Sequence, residues 1–430
     1  MASEQSILYA ELLPNIGRIS LAISLSPPAV DASTRVAIDA DGSNVELRHY
    51  GEIHRLRLPS RVALGGSVLP IQKQGVGTLS WPLPLHSTQS LQSRQPNIAG
   101  LGTSTWSATD LKIGSGVSCR KCGSVIVKDG SIVAWKDLPS ENWAEMMEFW
   151  HCHKPDHPHG SHSHDSASNA SRGAETSLKT LENGDGEKAD DASLAARGYG
   201  ASSAISAQEG VGFVDLTTLI FAESDCAGIT FSLSTYGHGS SKKQDILKPD
   251  SSEVKSLNVF CSSCQTQVGF YNFRTTAVTL LKWQVLLESQ SGAKPGVSQS
   301  LSATLLATKA RSGSSKSLII PMPETIVDPT DKPSPDTVIH VWVFNPNIVY
   351  SSSAAPEADA QGTPAIKLLY KLIPCEESEQ MLETITCDAQ EINLPSAAVA
   401  EVIRLLTESN LLLPAPERAF KEWKVALLSK

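Results

Sequence analysis

Short apolar runs separated by turn residues recur along most of the chain, which is a pattern of β-strands, and residues 54–59 alternate as a half-buried strand does. Residues 7–13 and 18–25 are apolar runs separated by a turn, and residues 35–39 and 45–50 flank the Asp41-Gly42 pair of a hairpin. Strand-like runs return after residue 211. The pattern predicts an α+β fold that is predominantly β and has few helices.

Two segments show the 3.6-residue period of amphipathic helices instead. Trp143, Met146, Met147 and Trp150 recur at positions i, i+3, i+4 and i+7, which predicts a helix of about three turns. The apolar stripe of this helix is expected to pack on the core. Residues 396–406 carry the second such pattern, near the C-terminus.

Composition divides the chain into three parts. Residues 154–210 contain few large apolar side chains and are rich in Ser, His, Gly, Ala and Asp, so they cannot bury enough surface to offset chain entropy. We predict an N-terminal β-rich lobe over residues 1–152, a disordered insertion over residues 153–210, and a C-terminal β-rich region over residues 211–430. Residues 289–300, rich in Ser and Gly, are predicted as a connection.

The charge balance excludes some classes of partner. The chain has 36 Lys and Arg residues against 45 Asp and Glu residues, a formal net charge of −9. This balance predicts no direct binding of nucleic acid and no attraction to a membrane, although it leaves room for a local basic patch. Apolar stretches such as residues 277–287 are shorter than the roughly 20 residues that span a bilayer. The N-terminus lacks the pattern of a secretory signal, so we expect an intracellular protein.

The cysteines indicate a metal site. Eight cysteines are too few and too scattered for a disulfide framework in a chain of 430 residues. Four of them form two C-x-x-C pairs, Cys119 with Cys122 and Cys261 with Cys264. Each spacing lets two thiolates turn toward one cation, and together the pairs supply the four sulfur ligands of a structural zinc site. We predict a four-cysteine zinc clamp that joins the two sheet-rich lobes.

A site with four thiolate ligands leaves no coordination position for water, so bound zinc would stabilise the fold and would not catalyse hydrolysis. A redox-active C-x-x-C pair and two unrelated buried pairs are the alternative interpretations of the same spacing.

A second cluster, Trp150-His151-Cys152-His153, directly follows the first predicted helix. A thiol between two imidazoles is a good metal ligand and a good nucleophile. Three interpretations stay open: a buried cysteine beside surface histidines, a thiol that accepts an acyl group, and a thiol offered to the metal of another protein.

The stretches Leu138-Pro-Ser-Glu-Asn-Trp143 and Phe149-Trp150-His151-Cys152-His153 resemble the signature of the HECT-like, E2-binding ubiquitin ligase family. The paired C-x-x-C motifs and the C-terminal segments, 391–395, 409–414 and 418–427, extend the resemblance over most of the chain. On this resemblance, the residues expected to bind a partner are Leu138, Pro139, Glu141, Asn142, Trp143, Trp150, His151, Cys152 and His153.

The resemblance implies a cytoplasmic and nuclear E3 ubiquitin-protein ligase. Such a protein would bind a ubiquitin-conjugating enzyme and promote transfer of ubiquitin to cyclin-type substrates or to itself. A HECT enzyme receives ubiquitin on a cysteine as a thioester. HECT domains place that cysteine near the chain end in a Thr-Cys context, and Thr386-Cys387 is the nearest match. Cys387 is therefore the catalytic candidate, although residues 383–394 are predicted as a strand and lack the Leu-Pro that precedes the HECT cysteine.

The resemblance also implies an alternative, non-catalytic role. The family is associated with factors of messenger-RNA 3′-end processing, which include a zinc-dependent endonuclease of the metallo-β-lactamase type. Under this alternative, residues 138–153 would insert into the nuclease cleft and Cys152 would donate its sulfur to the partner's zinc. Thiolate is a strong zinc ligand, and tryptophans are the aromatic anchors that interfaces prefer.

Overall fold

The computed structural model describes residues 5–71, 77–86, 106–138, 207–233, 256–273, 275–290, 292, 294–322, 337–355, 362–384 and 387–430. This part of the chain is strand-rich, as predicted, and contains three α-helices. The strands are β1 (Ile7–Leu13), β2 (Arg18–Ser24), β3 (Arg35–Ile38), β4 (Asn44–His49), β5 (Glu52–Arg57), β6 (Val68–Leu69), β7 (Thr78–Pro84), β8 (Val117–Cys119), β9 (Val125–Val127), β10 (Ala134–Asp137), β11 (Val211–Val214), β12 (Thr218–Ala222), β13 (Ile229–Ser232), β14 (Ser256–Cys261), β15 (Gln267–Asn272), β16 (Ala277–Leu281), β17 (Val285–Leu287), β18 (Lys316–Pro321), β19 (Thr337–Ser352), β20 (Thr363–Pro374), β21 (Ala389–Leu394), β22 (Ala419–Phe420) and β23 (Trp423–Ser429).

The helices are α1 (Val297–Ser312), α2 (Cys375–Glu383) and α3 (Ser396–Asn410). Helix α3 begins at Ser396, which confirms the second predicted helix. The first predicted helix, with Trp143 to Trp150, lies outside the described residues. None of the described helices is both long enough and apolar enough to cross a membrane.

The largest sheet has nine strands and is organised around the long strand β19. Along its main path the order is β22-β23-β20-β19-β1-β2-β7, and β18 and β21 extend it from another part of β19. One edge of β19 pairs with β18 through residues 339–342 and with β1 through residues 349–352, whereas β20 pairs along the other edge. Helices α1 and α3 pack on one face of this sheet.

Three smaller sheets complete the described fold. The seven-stranded sheet has the order β10-β11-β12-β16-β15-β14-β13, the three-stranded sheet β17-β8-β9, and the four-stranded sheet β5-β4-β3-β6. The last of these contains the hairpin β3–β4 predicted around Asp41-Gly42, in which Ile38 pairs with Val45. Its inner face shares one apolar core with β1, β2 and β7.

Strands from both sides of residues 153–210 pair directly in three of the sheets. Strand β1 pairs with β19, β8 pairs with β17, and β10 pairs in parallel with β11. Because both halves of the chain contribute to the same sheets, the division into two lobes joined by a clamp is not confirmed. The predicted disordered insertion lies almost wholly outside the described residues.

Two helices were not predicted. Helix α1 covers part of the predicted connection 289–300, and it escapes a search for apolar periodicity because its buried side includes Ser300, Ser302 and Thr308. The Ser302 hydroxyl donates to the Ser429 carbonyl at 2.8 Å.

The strand predicted over residues 383–394 was wrong in its first half, since α2 ends at Glu383 and β21 begins only at Ala389.

A buried ion pair ties the N-terminal strand to β20. The Lys367 Nζ lies 2.7 Å from Oε2 of Glu11, and their side chains are 14% and 5% exposed. The Tyr9 hydroxyl donates to the same carboxylate oxygen at 2.8 Å. Removing one member of such a pair leaves a buried charge without its partner, which typically costs about 3–5 kcal/mol. The pair therefore specifies how β1 is placed within the sheet.

The opposite face of the nine-stranded sheet carries a cluster of aromatic rings around His340. Its imidazole is 4% exposed and packs edge-on against Trp423, with 4.8 Å between ring centroids. Neither ring nitrogen has a hydrogen-bond partner among the described residues. Burial, with the nearby charges of Lys371 and Lys316, lowers the pKa of His340 to about 4.

This shift predicts a loss of stability in mild acid. The unfolded chain protonates a histidine with a pKa of about 6.5. Because the folded state binds that proton less readily, the stabilising contribution is present above pH 6.5 and is lost as pH falls toward 4. His340→Phe should remove the effect, so the wild type should lose about 2 kcal/mol more than the variant between pH 7 and 5. Urea unfolding at both pH values measures this difference, and equal losses would contradict the assignment.

Candidate metal centre

The four predicted metal-ligating cysteines lie in two tight turns. Cys119 is the last residue of β8, and Cys122 lies in the turn that leads to β9. Cys261 is the last residue of β14, and Cys264 lies in the turn that leads to β15. Cys119 and Cys261 are fully buried in one apolar core, whereas Cys122 is exposed and Cys264 is partly exposed.

Backbone hydrogen bonds shape the first turn. The N–H of Cys119 donates to the carbonyl of Ser124 at 2.8 Å, and the N–H of Gly123 donates back to the Cys119 carbonyl at 2.8 Å. Gly123 has φ of 75°, a conformation that glycine adopts without steric cost. This closed turn points the sulfurs of Cys119 and Cys122 in one direction, and the Ser124 hydroxyl lies 3.3 Å from the Cys122 sulfur.

The second turn repeats the first. The N–H of Cys261 donates to the carbonyl of Thr266 and the N–H of Gln265 donates to the Cys261 carbonyl, both at 2.9 Å. Gln265 has φ of 54°, so it takes the left-handed conformation that Gly123 has in the first turn. The Thr266 hydroxyl lies 3.3 Å from the Cys264 sulfur. The two C-x-x-C sequences therefore form the same local structure.

The four sulfurs form a compact group. The sulfurs of Cys119 and Cys264 are 3.7 Å apart, those of Cys122 and Cys261 are 3.6 Å apart, and all four lie within 4.8 Å of one another. Disulfide sulfurs lie about 2.05 Å apart, so none of these thiols is bonded to another. Four sulfurs at about 2.3 Å from a tetrahedral ion are separated by about 3.8 Å. The arrangement is compatible with a tetrahedral metal site.

The two buried thiols are poor acids on their own. Burial raises the pKa of Cys119 to about 12 and raises the pKa of Cys261 in the same way. A buried thiolate needs a nearby positive charge to offset its lost hydration, and a divalent cation among the four sulfurs would supply it.

The thiols near the surface ionise more easily. Hydrogen bonding with the side chain and backbone of Ser124 lowers the pKa of Cys122 to about 6. Burial alone would raise the pKa of Cys264, but hydrogen bonds from Thr266 outweigh it and the net shift is downward. These two residues would be the first to present thiolate to an incoming ion.

Glycine packing holds the two turns together. Gly228, just before β13, accepts a hydrogen bond at its carbonyl from the N–H of Ser262 in the second turn, at 2.9 Å. Gly228 has φ of 64°, and an added Cβ would lie 2.5 Å from the carbonyl oxygen of Val125 on β9. Its neighbour Ala227 donates its N–H to the Ile126 carbonyl. The chain thus runs between the two turns at a place where only glycine fits.

Strand β17 and the segments beside it also contact the first turn. Strand β17 pairs with β8, with Val285 opposite Cys119. The Arg120 N–H donates to the Gln284 carbonyl at 3.0 Å, and the Arg120 guanidinium donates to the Pro295 carbonyl at 2.7 Å. These contacts of Arg120 tie the first turn to the segments before and after β17.

The structure does not bring the other predicted site residues to this centre. Cys387 lies between α2 and β21, in the apolar cluster that also contains Cys375. Leu138 is 4% exposed and packs with Phe213 and Ile220. The remaining predicted partner-binding residues, from Pro139 to His153, lie outside the described residues.

Sequence reasoning missed the residues that support the cysteines. Ser124 and Thr266 both lie five positions after the first cysteine of their pair, so a comparison of the two motifs could have found them. Gly228 carries no such signal, because its role depends on a contact with Val125 that is distant in sequence.

The described structure is therefore that of a strand-rich protein with a cluster of four cysteines that is compatible with a metal site. The family model for HECT-like ubiquitin-conjugating enzyme (E2)-binding proteins matches residues 11–425, and the chain belongs to this family.

Two relatives are uncharacterized proteins of yeasts. The chain is 24% identical over 335 residues to a protein of Schizosaccharomyces pombe, which covers 76% of the chain and 77% of the relative. It is 34% identical over 80 residues to a protein of Saccharomyces cerevisiae, which covers 18% of the chain and 23% of that relative. No solved structure matches the chain.

Replacing one ligand should release the metal and destabilise the whole fold. The purified protein is expected to contain about one equivalent of metal, and Cys119→Ser should lose it together with about 4 kcal/mol or more of stability. Elemental mass spectrometry and thermal unfolding measure the two effects. Cys375→Ser, a thiol outside the cluster, is the control and should keep the metal. A metal-free wild type purified without chelator would contradict the assignment.

Adding one methyl group at Gly228 should separate the two turns. Gly228→Ala combines a left-handed backbone with a clash against the Val125 carbonyl, so it should cost about 3 kcal/mol and reduce the metal content. Gly114→Ala is the matched control, because Gly114 has φ of 81° but open space around it. The control should show only the backbone cost of about 1 kcal/mol. Equal effects in both variants would exclude the packing role of Gly228.

Proposed function

We propose that the protein is an E3 ubiquitin-protein ligase that binds a ubiquitin-conjugating enzyme and promotes transfer of ubiquitin to a substrate or to itself. The observation that carries the proposal is the family match over residues 11–425, since that family is described by its binding of E2 enzymes. The tetrathiolate centre does not compete with this role, because a site closed by four sulfurs leaves no position for a substrate.

The metal in the centre is proposed to be zinc. Zinc has no geometric preference of its own and accepts tetrahedral thiolate sets, which matches four sulfurs with close separations of 3.6 and 3.7 Å. Cys119, Cys122, Cys261 and Cys264 would hold it. Its contribution would be to the folding free energy.

Cys387 is the proposed acceptor of ubiquitin. The residue is partly exposed, and its sulfur lies 4.0 Å from the Ala389 carbonyl. Its N–H donates to the carbonyl of Thr384 at 2.8 Å, which turns the chain between α2 and β21. In the proposed step the Cys387 thiolate attacks the thioester carbonyl of the loaded E2, and the E2 cysteine leaves as a thiolate. An amine of the substrate then takes the acyl group from Cys387.

Cyclin-type proteins are the proposed substrates, and the cytoplasm and nucleus the proposed location, where reducing conditions keep thiols free. All seven cysteines in the described part of the chain are free. The alternative role, in which Cys152 binds the zinc of a metallo-β-lactamase-type endonuclease, rests on residues 138–153. Of these, only Leu138 belongs to the described residues, and the alternative stays a prediction.

The test is a transfer assay with ubiquitin-activating enzyme, ATP, ubiquitin and a panel of ubiquitin-conjugating enzymes. With a matching E2, the wild type and Cys375→Ala should form a ubiquitin adduct that reducing agent cleaves, whereas Cys387→Ala should form none. Cys375 is the matched control because it lies in the same apolar cluster. Non-reducing and reducing gels report the adduct.

The outcomes separate the parts of the proposal. An adduct that persists in Cys387→Ala would assign the thioester to another cysteine. Binding of an E2 without any thioester would mean that the protein works as a non-covalent adaptor. Failure of every E2 in the panel to bind would remove the ligase proposal altogether.

A further inference from the structure

Three lysines lie over aromatic rings on one face of the nine-stranded sheet. The distances from Nζ to ring centroid are 6.0 Å, 5.0 Å and 5.8 Å. We call these three pairs the lysine–aromatic face; they are Lys316 with Trp342, Lys371 with Trp423, and Lys421 with Phe420.

Strand register places the three pairs side by side. Lys316 on β18 is opposite Trp342 on β19, and Phe420 on β22 is opposite Trp423 on β23. Lys371 on β20 is opposite His340, two residues from Trp342 on the same strand. Opposite residues in antiparallel strands share a face, and strands lie about 4.8 Å apart. Two lysines and three rings therefore share one face of five neighbouring strands, and Lys421 directly follows the end of β22.

The rings on this face are open to solvent at both ends. Phe344, which packs edge-on against Trp342 with centroids 6.1 Å apart, is 55% exposed. Phe420 at the other end is 47% exposed, and Trp342 is partly exposed. Between them, Trp423 is 8% exposed and packs against Trp342 with centroids 6.1 Å apart. The buried ring supports a platform whose outer members remain accessible.

The local charge of the face differs in sign from that of the whole chain. Three lysines lie here against two carboxylates: Asp388, which is 65% exposed and 2.9 Å from Lys316, and Glu422, the exposed residue between Lys421 and Trp423. The net charge of −9 is spread over 430 residues. Charges farther away than the Debye length, about 8 Å at physiological salt, are largely screened. At the face itself the lysines outnumber the carboxylates by three to two, so its local charge is positive.

We propose that the lysine–aromatic face binds single-stranded nucleic acid, with bases stacked on the exposed rings and phosphates paired with the lysines. Aromatic side chains on an open sheet, interleaved with cations, are the physical requirement for binding single strands without sequence preference. This activity is separate from ubiquitin transfer and uses neither Cys387 nor the metal centre.

The lysines can exchange their aromatic partners for phosphates without loss. A contact between an exposed lysine and a ring is weaker than the stacking of a base on that ring. When a base takes the ring, the freed ammonium group can move to the adjacent phosphate, where it gains a full opposite charge and releases counterions. One lysine–ring pair can then bind both the base and the phosphate of a nucleotide.

An acidic peptide is the competing occupant, and the geometry favours it less. The carboxylates of such a peptide would form ion pairs with the three lysines, but they would provide no planar group to stack on Phe344 and Phe420. The two phenylalanines lie at opposite ends of the face, where successive bases of one strand can reach them and a single acidic side chain cannot.

The binding test uses the full chain and fluorescein-labelled oligo(dT) and oligo(U) of about 12 nucleotides, within the site sizes of single-strand binders. Fluorescence anisotropy at about 50 mM salt should show binding of at least one of them, and the preferred oligonucleotide identifies DNA or RNA as the source. The double variant Phe344→Ala, Phe420→Ala should bind about tenfold or more weakly. Lys371→Ala should lower the slope of log K against log salt by about 0.7.

Matched controls separate the face from general surface effects. Tyr50→Ala removes an equally exposed ring, 51% exposed, from the four-stranded sheet region, and Lys424→Ala removes an exposed lysine from β23 that points away from Trp423. Neither should change binding. The proposal is overturned if the intact protein binds neither oligonucleotide, if the double variant binds as the wild type does, or if a glutamate-rich peptide displaces the oligonucleotide at equal concentration.

Discussion

Four sulfur atoms within 4.8 Å of one another impose the constraint on which much of the described fold depends. The cysteines that supply them are up to 145 residues apart in the chain, and two of them are fully buried. Four thiols at this distance, without an ion, would crowd protonated sulfurs into an apolar core whose burial raises the pKa of Cys119 and Cys261. A bound cation turns this crowding into four favourable bonds, so metal binding and folding would occur together.

The sheets show why such a constraint is useful in this chain. Strand β19 pairs with β1, which lies more than three hundred residues earlier, and β17 pairs with β8, which lies more than 160 residues earlier. Contacts this distant in sequence carry a large entropic cost of loop closure. Specific buried contacts, such as the Glu11–Lys367 ion pair and the close packing at Gly228, form in one arrangement of the strands. They therefore favour that arrangement over other compact ones.

The proposed ubiquitin transfer does not use the four-cysteine cluster, because four sulfurs around one ion would leave no position for a substrate. The nine-stranded sheet offers an accessible surface, and the partly exposed thiol of Cys387 lies just before its strand β21. Cys387 precedes Asp388, whose carboxylate pairs with Lys316 at the border of the lysine–aromatic face. A ligand on that face would compete with Asp388 for Lys316 and so act next to the proposed ubiquitin acceptor. The two proposed activities thus have neighbouring sites but depend on different residues.

The sequence by itself determined the local structure. Short apolar runs predicted the β-rich class, the Asp41-Gly42 turn predicted the hairpin β3–β4, and the 3.6-residue period predicted helix α3. The spacing of the two C-x-x-C pairs predicted the four cysteines that converge. These features depend on neighbours within a few residues. Helix α1 was missed because its buried side is rich in serine and threonine, so only its packing on the sheet stabilises it as a helix. Tertiary structure decided three other features: the pairing of β1 with β19, the placement of Gly228 between the two turns, and the alignment of lysines over rings. Each of them is a contact between residues far apart in the chain, and the pattern of apolar and polar residues does not indicate which distant residues meet.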